Sequence, residues 1–88
     1  MLFKIYTLSH PITGEIRYIG RTKNKLSARL TTHIYNARNS TSYNYNYNWI
    51  KSLAKQGLKP IIECLEEIDT SLDVAHAVET YWIDQFLS

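Results

Sequence analysis

The sequence predicts an α+β fold, in which a small three-stranded antiparallel sheet is flanked by about three helices. Two observations support this prediction: an alternating, β-rich segment folds back on itself near the N-terminus, and later segments repeat apolar residues at helical spacing. The chain has 88 residues, of which 44% are hydrophobic and 20% charged. This composition is typical of one folded domain, spanning residues 1–88, and excludes an intrinsically disordered chain.

The first two strands are expected to form a hairpin. Residues 3–8 and 15–19 alternate and are rich in Ile, Tyr and Phe, and the segment HPITG between them supplies turn residues. We expect a register in which Tyr6 lies directly opposite Tyr18, so that the two phenols form a pair on one surface. A slip of one residue would move one of them to the other face of the sheet.

A first helix is predicted over about residues 25–38. Within it, Arg29 and His33 are four residues apart and therefore neighbours, and we place them at the solvent boundary of the apolar stripe. The residues that recur at helical spacing and form this stripe are Leu26, Leu30, Ile34 and Ala37.

A polar loop and a second helix are predicted next. The tract NSTSYNYNYN, residues 39–48, is interpreted as a polar loop whose tyrosines cover the core or stack on a ligand, the covering role being the favoured one. The helix is expected over about residues 47–56 and ends at Gly57, a typical C-terminal stop. Its expected buried residues are Ile50, Leu53 and Ala54.

The third strand is predicted in the segment PIIECLEEI, which Pro60 opens. The strand is short and largely apolar. Cys64 is the only cysteine of the chain, so an internal disulfide is excluded, and its apolar surroundings favour a small buried core residue.

The last helix is expected to run to about Leu87, capped by one of the polar residues in the segment DTS. Its expected apolar face contains Leu72, Ala75, Ile83 and Phe86, with Trp82 at one edge. Glu79 falls in the middle of this face. An unpaired buried charge is unfavourable by at least several kcal/mol. Glu79 therefore requires a cationic partner, a metal ion or a cleft, and an internal salt bridge is as good an explanation as a functional role.

Charge is divided unevenly along the chain. Residues 1–59 hold all ten basic residues and a single acid, whereas residues 60–88 hold seven acids and no Lys or Arg. This asymmetry predicts a basic face for a polyanion, although mutual neutralisation of the two halves is an alternative. The chain has neither a membrane-length apolar run nor a signal-peptide pattern, so a soluble cytoplasmic protein is expected.

The residues singled out above lie within or beside five short motifs that follow one another along the chain. They are KIY at residues 4–6, YIG at 18–20, RTKNKLSARLTTH at 21–33, WIKSL at 49–53 and ETYWI at 79–83. In order and spacing the set resembles the GIY-YIG nuclease family over nearly the whole chain. The resemblance implies divalent-metal-dependent hydrolysis of DNA phosphodiester bonds, with Mg²⁺ or Mn²⁺ as the cofactor.

The resemblance also implies the roles of individual residues. Glu79 corresponds to the single metal-binding carboxylate, and Gly20 to the glycine that lets the backbone pass close to the site. The remaining catalytic positions correspond to Tyr6, Tyr18, Arg29 and His33.

Each of these residue types suits the implied chemistry. Glu79 offers the hard oxygen that Mg²⁺ prefers, and Arg29 offers a planar fork to the non-bridging phosphate oxygens. Tyr6 is our candidate base, provided that positive charge lowers the pKa of its phenol, and Tyr18 would then hydrogen-bond the water or phosphate. The two tyrosines can exchange these roles. His33 can relay the proton or bind phosphate.

Contacts with the DNA backbone are assigned to basic residues near the motifs. They are Lys4, Arg17, Arg21, Lys23, Lys25 and Arg38. Lys4 stands where the family motif has glycine; its side chain either points away from the site, which we favour, or adds a phosphate contact. The chain also ends nine residues after Glu79, whereas family members often continue into DNA-binding modules. A minimal enzyme and a catalytic domain separated from a C-terminal DNA-binding region both fit.

Two other functions compete with a nuclease. The first is a catalytically silent nucleic-acid-binding domain on the same fold. The presence of Glu79 argues against this function, because binding alone does not require that carboxylate. An interaction domain with a basic partner predicts no metal binding and salt-insensitive behaviour with DNA. The biological setting, a phage or mobile element or DNA repair or recombination, is not decided by the sequence, and neither is the oligomeric state.

Overall fold

The computed structural model describes residues 1–40 and 44–87. The described part contains three strands in one sheet and three helices, which confirms the predicted α+β class. In chain order the elements are β1 (Leu2–Ser9), β2 (Ile16–Thr22), α1 (Leu26–Asn39), α2 (Tyr45–Lys55), β3 (Ile61–Asp69) and α3 (Leu72–Phe86).

The sheet has the order β2-β1-β3, with both pairs antiparallel. The central strand β1 is therefore hydrogen-bonded to a neighbouring strand along each of its edges. Successive side chains of a strand point to opposite faces. On one face, Tyr6 and Leu8 of β1 pack with residues of α1 and α2 around Trp49. On the other face, Phe3 and Ile5 are buried, and α3 packs against β2 and β1. Each fully buried aliphatic or aromatic side chain contributes about 1.5–3 kcal/mol.

The predicted register of the hairpin is wrong by two residues. Tyr6 pairs with Gly20, and Leu8 pairs with Tyr18. The hairpin turn closes between His10 and Glu15, and the register shifts once more between Leu8 and Ser9. Together these features shift the pairing of β2 with β1 by two residues relative to the prediction. The two tyrosines therefore stay on one face, as diagonal rather than direct neighbours.

The tract predicted as a loop is partly helical. Residues 41–43 lie outside the described residues, but α2 already begins at Tyr45, because the side chain of Asn44 accepts a hydrogen bond from the Tyr47 N–H at 3.1 Å. The buried face of α2 includes Trp49, whereas Ala54, expected inside, is exposed. Gly57 has φ of +74°, which confirms it as the position where the chain leaves the helix.

Two expectations for the C-terminal part are wrong. Cys64 is exposed rather than buried, because β3 is an edge strand that the helices cover incompletely. Leu72 and Phe86, predicted on the buried face of α3, are 52% and 47% exposed. The N-terminus of α3 is as predicted: the Ser71 hydroxyl accepts a hydrogen bond from the Val74 N–H at 3.4 Å.

Among the helices that the structure describes, none combines the length and apolar character that crossing a membrane requires.

Candidate active site

The site is built around the phenol oxygen of Tyr6, which lies in the interior. Tyr6 has no exposed surface, and its ring lies against the backbone of Gly20 on the neighbouring strand. A Cβ at Gly20 would come within 2.7 Å of Tyr6 Oη and 2.8 Å of Tyr18 Cε2. Carbon atoms do not approach this closely without displacement. The glycine is therefore required by the position of the phenol.

Helix α1 brings two polar side chains to this oxygen. Arg29 and His33 are one turn apart, and their side chains leave the helix on the same side. The Arg29 Nε–H donates to Tyr6 Oη at 3.0 Å, and His33 Nε2 lies 2.6 Å from the same oxygen. Tyr18 completes the cluster, with its ring 6.1 Å from the Tyr6 ring and 5.1 Å from the His33 ring, centroid to centroid.

His33 lies deeper than the sequence predicted. It was expected at the solvent boundary but is only 5% exposed, because both tyrosine rings pack against its imidazole. The structure thus brings four of the five predicted catalytic residues into one contiguous cluster: Tyr6, Tyr18, Arg29 and His33.

Burial controls the protonation of this cluster. Burial raises the pKa of Tyr6 to about 12, and the hydrogen bond and positive charge of Arg29 oppose this effect without overcoming it. Burial, with a smaller contribution from Arg29, lowers the pKa of His33 to about 4. Both side chains are therefore neutral near neutral pH in the free protein. Arg29 alone does not meet the condition that nearby positive charge should lower the Tyr6 pKa.

Glu79 has the cationic partner that its position on α3 requires. Arg21 Nη1 donates to Glu79 Oε1 at 2.6 Å, and the Glu79 side chain is 15% exposed. His76 Nδ1 lies 3.3 Å from the same guanidinium nitrogen. The expectation of a partner for the carboxylate is confirmed, in the form of an internal salt bridge.

The salt bridge and the tyrosine cluster flank the same edge strand. Arg21 directly follows Gly20 in β2, so its side chain points to the face opposite Tyr6. Within residues 1–40 and 44–87, Glu79 forms no hydrogen bond or ion pair with the four clustered residues. The fifth predicted residue is thus bound to Arg21, whose side chain leaves β2 on the face opposite Tyr6.

The other predicted DNA-contacting residues lie on several elements rather than at one edge of the sheet. Lys4 points toward the connection between β2 and α1, where its Nζ donates to the Asn24 carbonyl at 3.4 Å. The Arg17 guanidinium lies over the Trp49 ring, 5.6 Å from the centroid. Three further members of the predicted set are exposed: Lys23, Lys25 and Arg38.

The sequence analysis missed one polar residue that touches the cluster. Asn46, in the first turn of α2, places its Nδ2 at 3.3 Å from His33 Nδ1. Its Oδ1 is buried and has no hydrogen-bond partner among residues 1–40 and 44–87. Asn44 provides a cap that could have moved the predicted helix start forward. The contact with His33 is tertiary, and no sequence pattern indicates it.

The residues present can hold only part of the coordination shell of a metal ion. Among the described residues, no group of three or more His, Cys, Asp or Glu side chains is close enough to bind a metal together. Glu79 offers a single, partly buried carboxylate. Mg²⁺ commonly binds one or two carboxylates and keeps its remaining ligands as water and substrate phosphate. The donor set therefore fits such an ion, with Arg21 as the group that must share or release the carboxylate.

The buried neutral His33 predicts a pH-dependent stability. Unfolded His33 takes up a proton near pH 6.5, whereas folded His33 does so only near about pH 4. Between these values the unfolded state binds more protons, so the free energy of unfolding should fall as the pH is lowered, by about 3 kcal/mol in total. Urea unfolding across this range should show a steeper decline in the wild type than in His33→Gln. Equal slopes in the two proteins would contradict a buried neutral histidine.

The contact between Gly20 and the phenol predicts a destabilising methyl group. Gly20→Ala should lower the free energy of unfolding by about 1–3 kcal/mol, because the added Cβ overlaps Tyr6 Oη. Part of this cost should disappear in a Tyr6→Phe background, where the oxygen is absent. Urea unfolding of the two single variants and the double variant measures this coupling. Strict additivity would show that the glycine does not accommodate the phenol oxygen.

Comparison with known proteins assigns the chain to a family. The family model described as the GIY-YIG catalytic domain matches residues 3–88, which is nearly the whole chain. No curated protein and no solved structure matches the chain. Divalent-metal dependence is general in this family, and a nuclease domain implies DNA as the substrate. The chain belongs to the GIY-YIG family, whose members are endonucleases.

Proposed function

We propose that this chain is a divalent-metal-dependent endonuclease that hydrolyses DNA phosphodiester bonds, with Tyr6 as the base that takes a proton from the attacking water. One observation carries the proposal: two nitrogen groups, from Arg29 and His33, converge on the buried Tyr6 oxygen at 3.0 and 2.6 Å. Binding to DNA alone does not require such a buried arrangement.

Tyr6 is protonated at rest in this proposal. A phenol with a pKa of about 12 does not accept a proton near neutral pH. It becomes a base only after it has released its own proton to the solvent, by way of the partly exposed Tyr18, and the resulting phenolate is stabilised; the proton it then takes from the attacking water restores the phenol. Arg29 provides a hydrogen bond and a positive charge for this purpose, and both lower the pKa of Tyr6.

Arg29 has a second task in the proposal. A guanidinium carries five N–H donors, and the hydrogen bond from Nε to Tyr6 uses one of them. We assign other donors to the non-bridging oxygens of the scissile phosphate, which a planar guanidinium can bind in pairs. Arg29 thereby holds the phosphate next to the base. A lysine ammonium lacks this planar, paired arrangement of donors.

Glu79 is the proposed metal ligand, and Arg21 neutralises it in the free protein. A Mg²⁺ or Mn²⁺ ion held there would neutralise charge on the phosphate and on the departing oxygen. We propose that an approaching DNA phosphate draws the Arg21 guanidinium away from Glu79 and frees the carboxylate. Arg21 then serves as one of the backbone contacts, together with Lys4, Arg17, Lys23, Lys25 and Arg38. Phosphate contacts carry no sequence information, so binding should be only weakly sequence-specific.

Cleavage of supercoiled and branched DNA tests this function. The wild type should nick both substrates with Mg²⁺ or Mn²⁺ and not with a chelator, and Glu79→Gln should abolish the activity while keeping the size of the side chain. Tyr6→Phe should reduce the rate by about 10²–10⁴-fold, the usual contribution of a general base. Glu67→Gln is the matched control, because it removes an exposed carboxylate on β3 and should leave the rate unchanged.

Two results would contradict the proposal. Full activity of Glu79→Gln would exclude the carboxylate as the metal ligand, and an active Tyr6→Phe would exclude this tyrosine as the base. Salt-sensitive DNA binding without cleavage under any metal would indicate the second candidate, a catalytically silent DNA-binding domain. The observation that favours this second candidate is the ion pair between Arg21 and Glu79, because a carboxylate bound to Arg21 is not free to bind a metal ion.

A further inference from the structure

We infer that Asn46 is a positioning residue, which holds His33 in the tautomer with its proton on Nε2 and so makes His33 a second N–H donor to the Tyr6 oxygen. The inference starts from a histidine that has one polar neighbour at each ring nitrogen. Tyr6 Oη lies 2.6 Å from Nε2, and the Asn46 side-chain nitrogen lies 3.3 Å from Nδ1. Its catalytic meaning rests on the proposed function, in which Tyr6 is the base.

A neutral imidazole has one N–H and one lone pair, so its two neighbours cannot be used in the same way. His33 is buried and its pKa is low, so it is neutral near neutral pH. If Asn46 donates to Nδ1, the proton of the ring must be on Nε2, where it points at Tyr6. If Asn46 instead accepts from Nδ1, the lone pair on Nε2 must accept the Tyr6 hydroxyl proton.

The buried environment of the Asn46 amide selects the first arrangement. One end of the amide faces His33, and the other is buried without a partner in the part of the chain that the structure describes. With the nitrogen toward His33, the unpaired group is a carbonyl oxygen. Rotating the amide would bury an unpaired NH₂ group with two donors instead. Under-satisfied carbonyl groups occur in proteins more often than orphaned N–H groups, which indicates the lower cost of the first orientation.

The selected tautomer determines how the Tyr6 oxygen is bound. Arg29 Nε and His33 Nε2 both donate to it, so the proton of Tyr6 must point elsewhere. Tyr18, whose ring centroid lies 6.1 Å from that of Tyr6, is the neighbour to which we assign that proton. Removing this proton leaves a phenolate that already has two N–H donors in place. His33 is then a hydrogen-bond donor to Tyr6, a role that differs from both the proton relay and the phosphate contact that the sequence left open.

The tautomer can be measured directly by ¹⁵N NMR of the His33 ring near neutral pH. In the wild type, Nε2 should be protonated and Nδ1 should show the shift of an unprotonated nitrogen that accepts a hydrogen bond. In Asn46→Asp, a side chain of the same shape that only accepts, Nδ1 should be protonated. The control is Asn48→Asp, which places the same charge on an exposed position of the same helix and should leave the His33 signals unchanged.

The wild-type spectrum alone can overturn the inference, whether or not the variant folds. A proton on Nδ1 in the wild type would show that Asn46 accepts and that His33 is not a donor to Tyr6. An unprotonated Nδ1 in folded Asn46→Asp would show that Asn46 does not control the tautomer.

Cleavage kinetics test whether the tautomer matters for the reaction. Asn46→Asp should lower kcat by on the order of 10–100-fold, the loss typical for outer partners of functional histidines, and leave DNA affinity within the range of Asn48→Asp. An unchanged kcat with an altered tautomer would remove the link to catalysis. If the wild type binds DNA but does not cut it, the proposed function fails, whereas the NMR result still decides the role of Asn46.

Discussion

The close approach of the Tyr6 ring to the backbone of Gly20 is the constraint on which the rest of the site depends. Because Gly20 has no Cβ, the phenol can lie across the neighbouring strand and reach the side of the sheet where α1 packs. A Cβ at this position would come within 2.7 Å of the phenol oxygen, so the tyrosine rings or the strand would have to move. The motif glycine therefore acts through packing, and its φ is not in the left-handed region.

The resulting site is a balance between burial and charge. Burial favours the neutral forms of Tyr6 and His33, whereas the Arg29 guanidinium favours the anionic form of Tyr6 and the neutral form of His33. On the other face of β2, Arg21 compensates the carboxylate of Glu79. Two arginines thus stand on either side of one glycine-containing strand, each bound to a group that has a role in the proposed reaction. An incoming phosphate could compete for both.

Local patterns were sufficient to predict most elements and the face on which each site residue lies. The tyrosines of the hairpin share a face because side chains alternate with a period of two, and Arg29 and His33 converge because they are one helical turn apart. The exact partner of Tyr6 was mispredicted, because the register irregularity beside Ser9 leaves no clear mark in the sequence. Cys64 was misplaced because sequence patterns do not show which strand lies at the edge of the sheet.

Asn46 illustrates why tertiary contacts could not be predicted from the sequence. Its tract resembles a repetitive polar loop, and its importance comes only from packing α2 beside α1, where the amide meets His33. For the ion pair of Glu79, the need for a partner could be predicted from the sequence, but the identity of the partner could not. A carboxylate on an apolar helix face demands a partner, but the choice of Arg21 among ten basic residues depends on how α3 lies on β2.

The most direct test of this account is the titration of Tyr6, followed through the ¹³C shift of its Cζ atom while circular dichroism shows that the protein stays folded. The account predicts a pKa of about 12 in the wild type. It predicts a still higher pKa in Arg29→Met, because this variant removes the donor and the positive charge that favour the phenolate. A Tyr6 pKa near the ordinary value of about 10, or the same pKa in both proteins, would contradict the claim that burial and Arg29 together set the state of this oxygen.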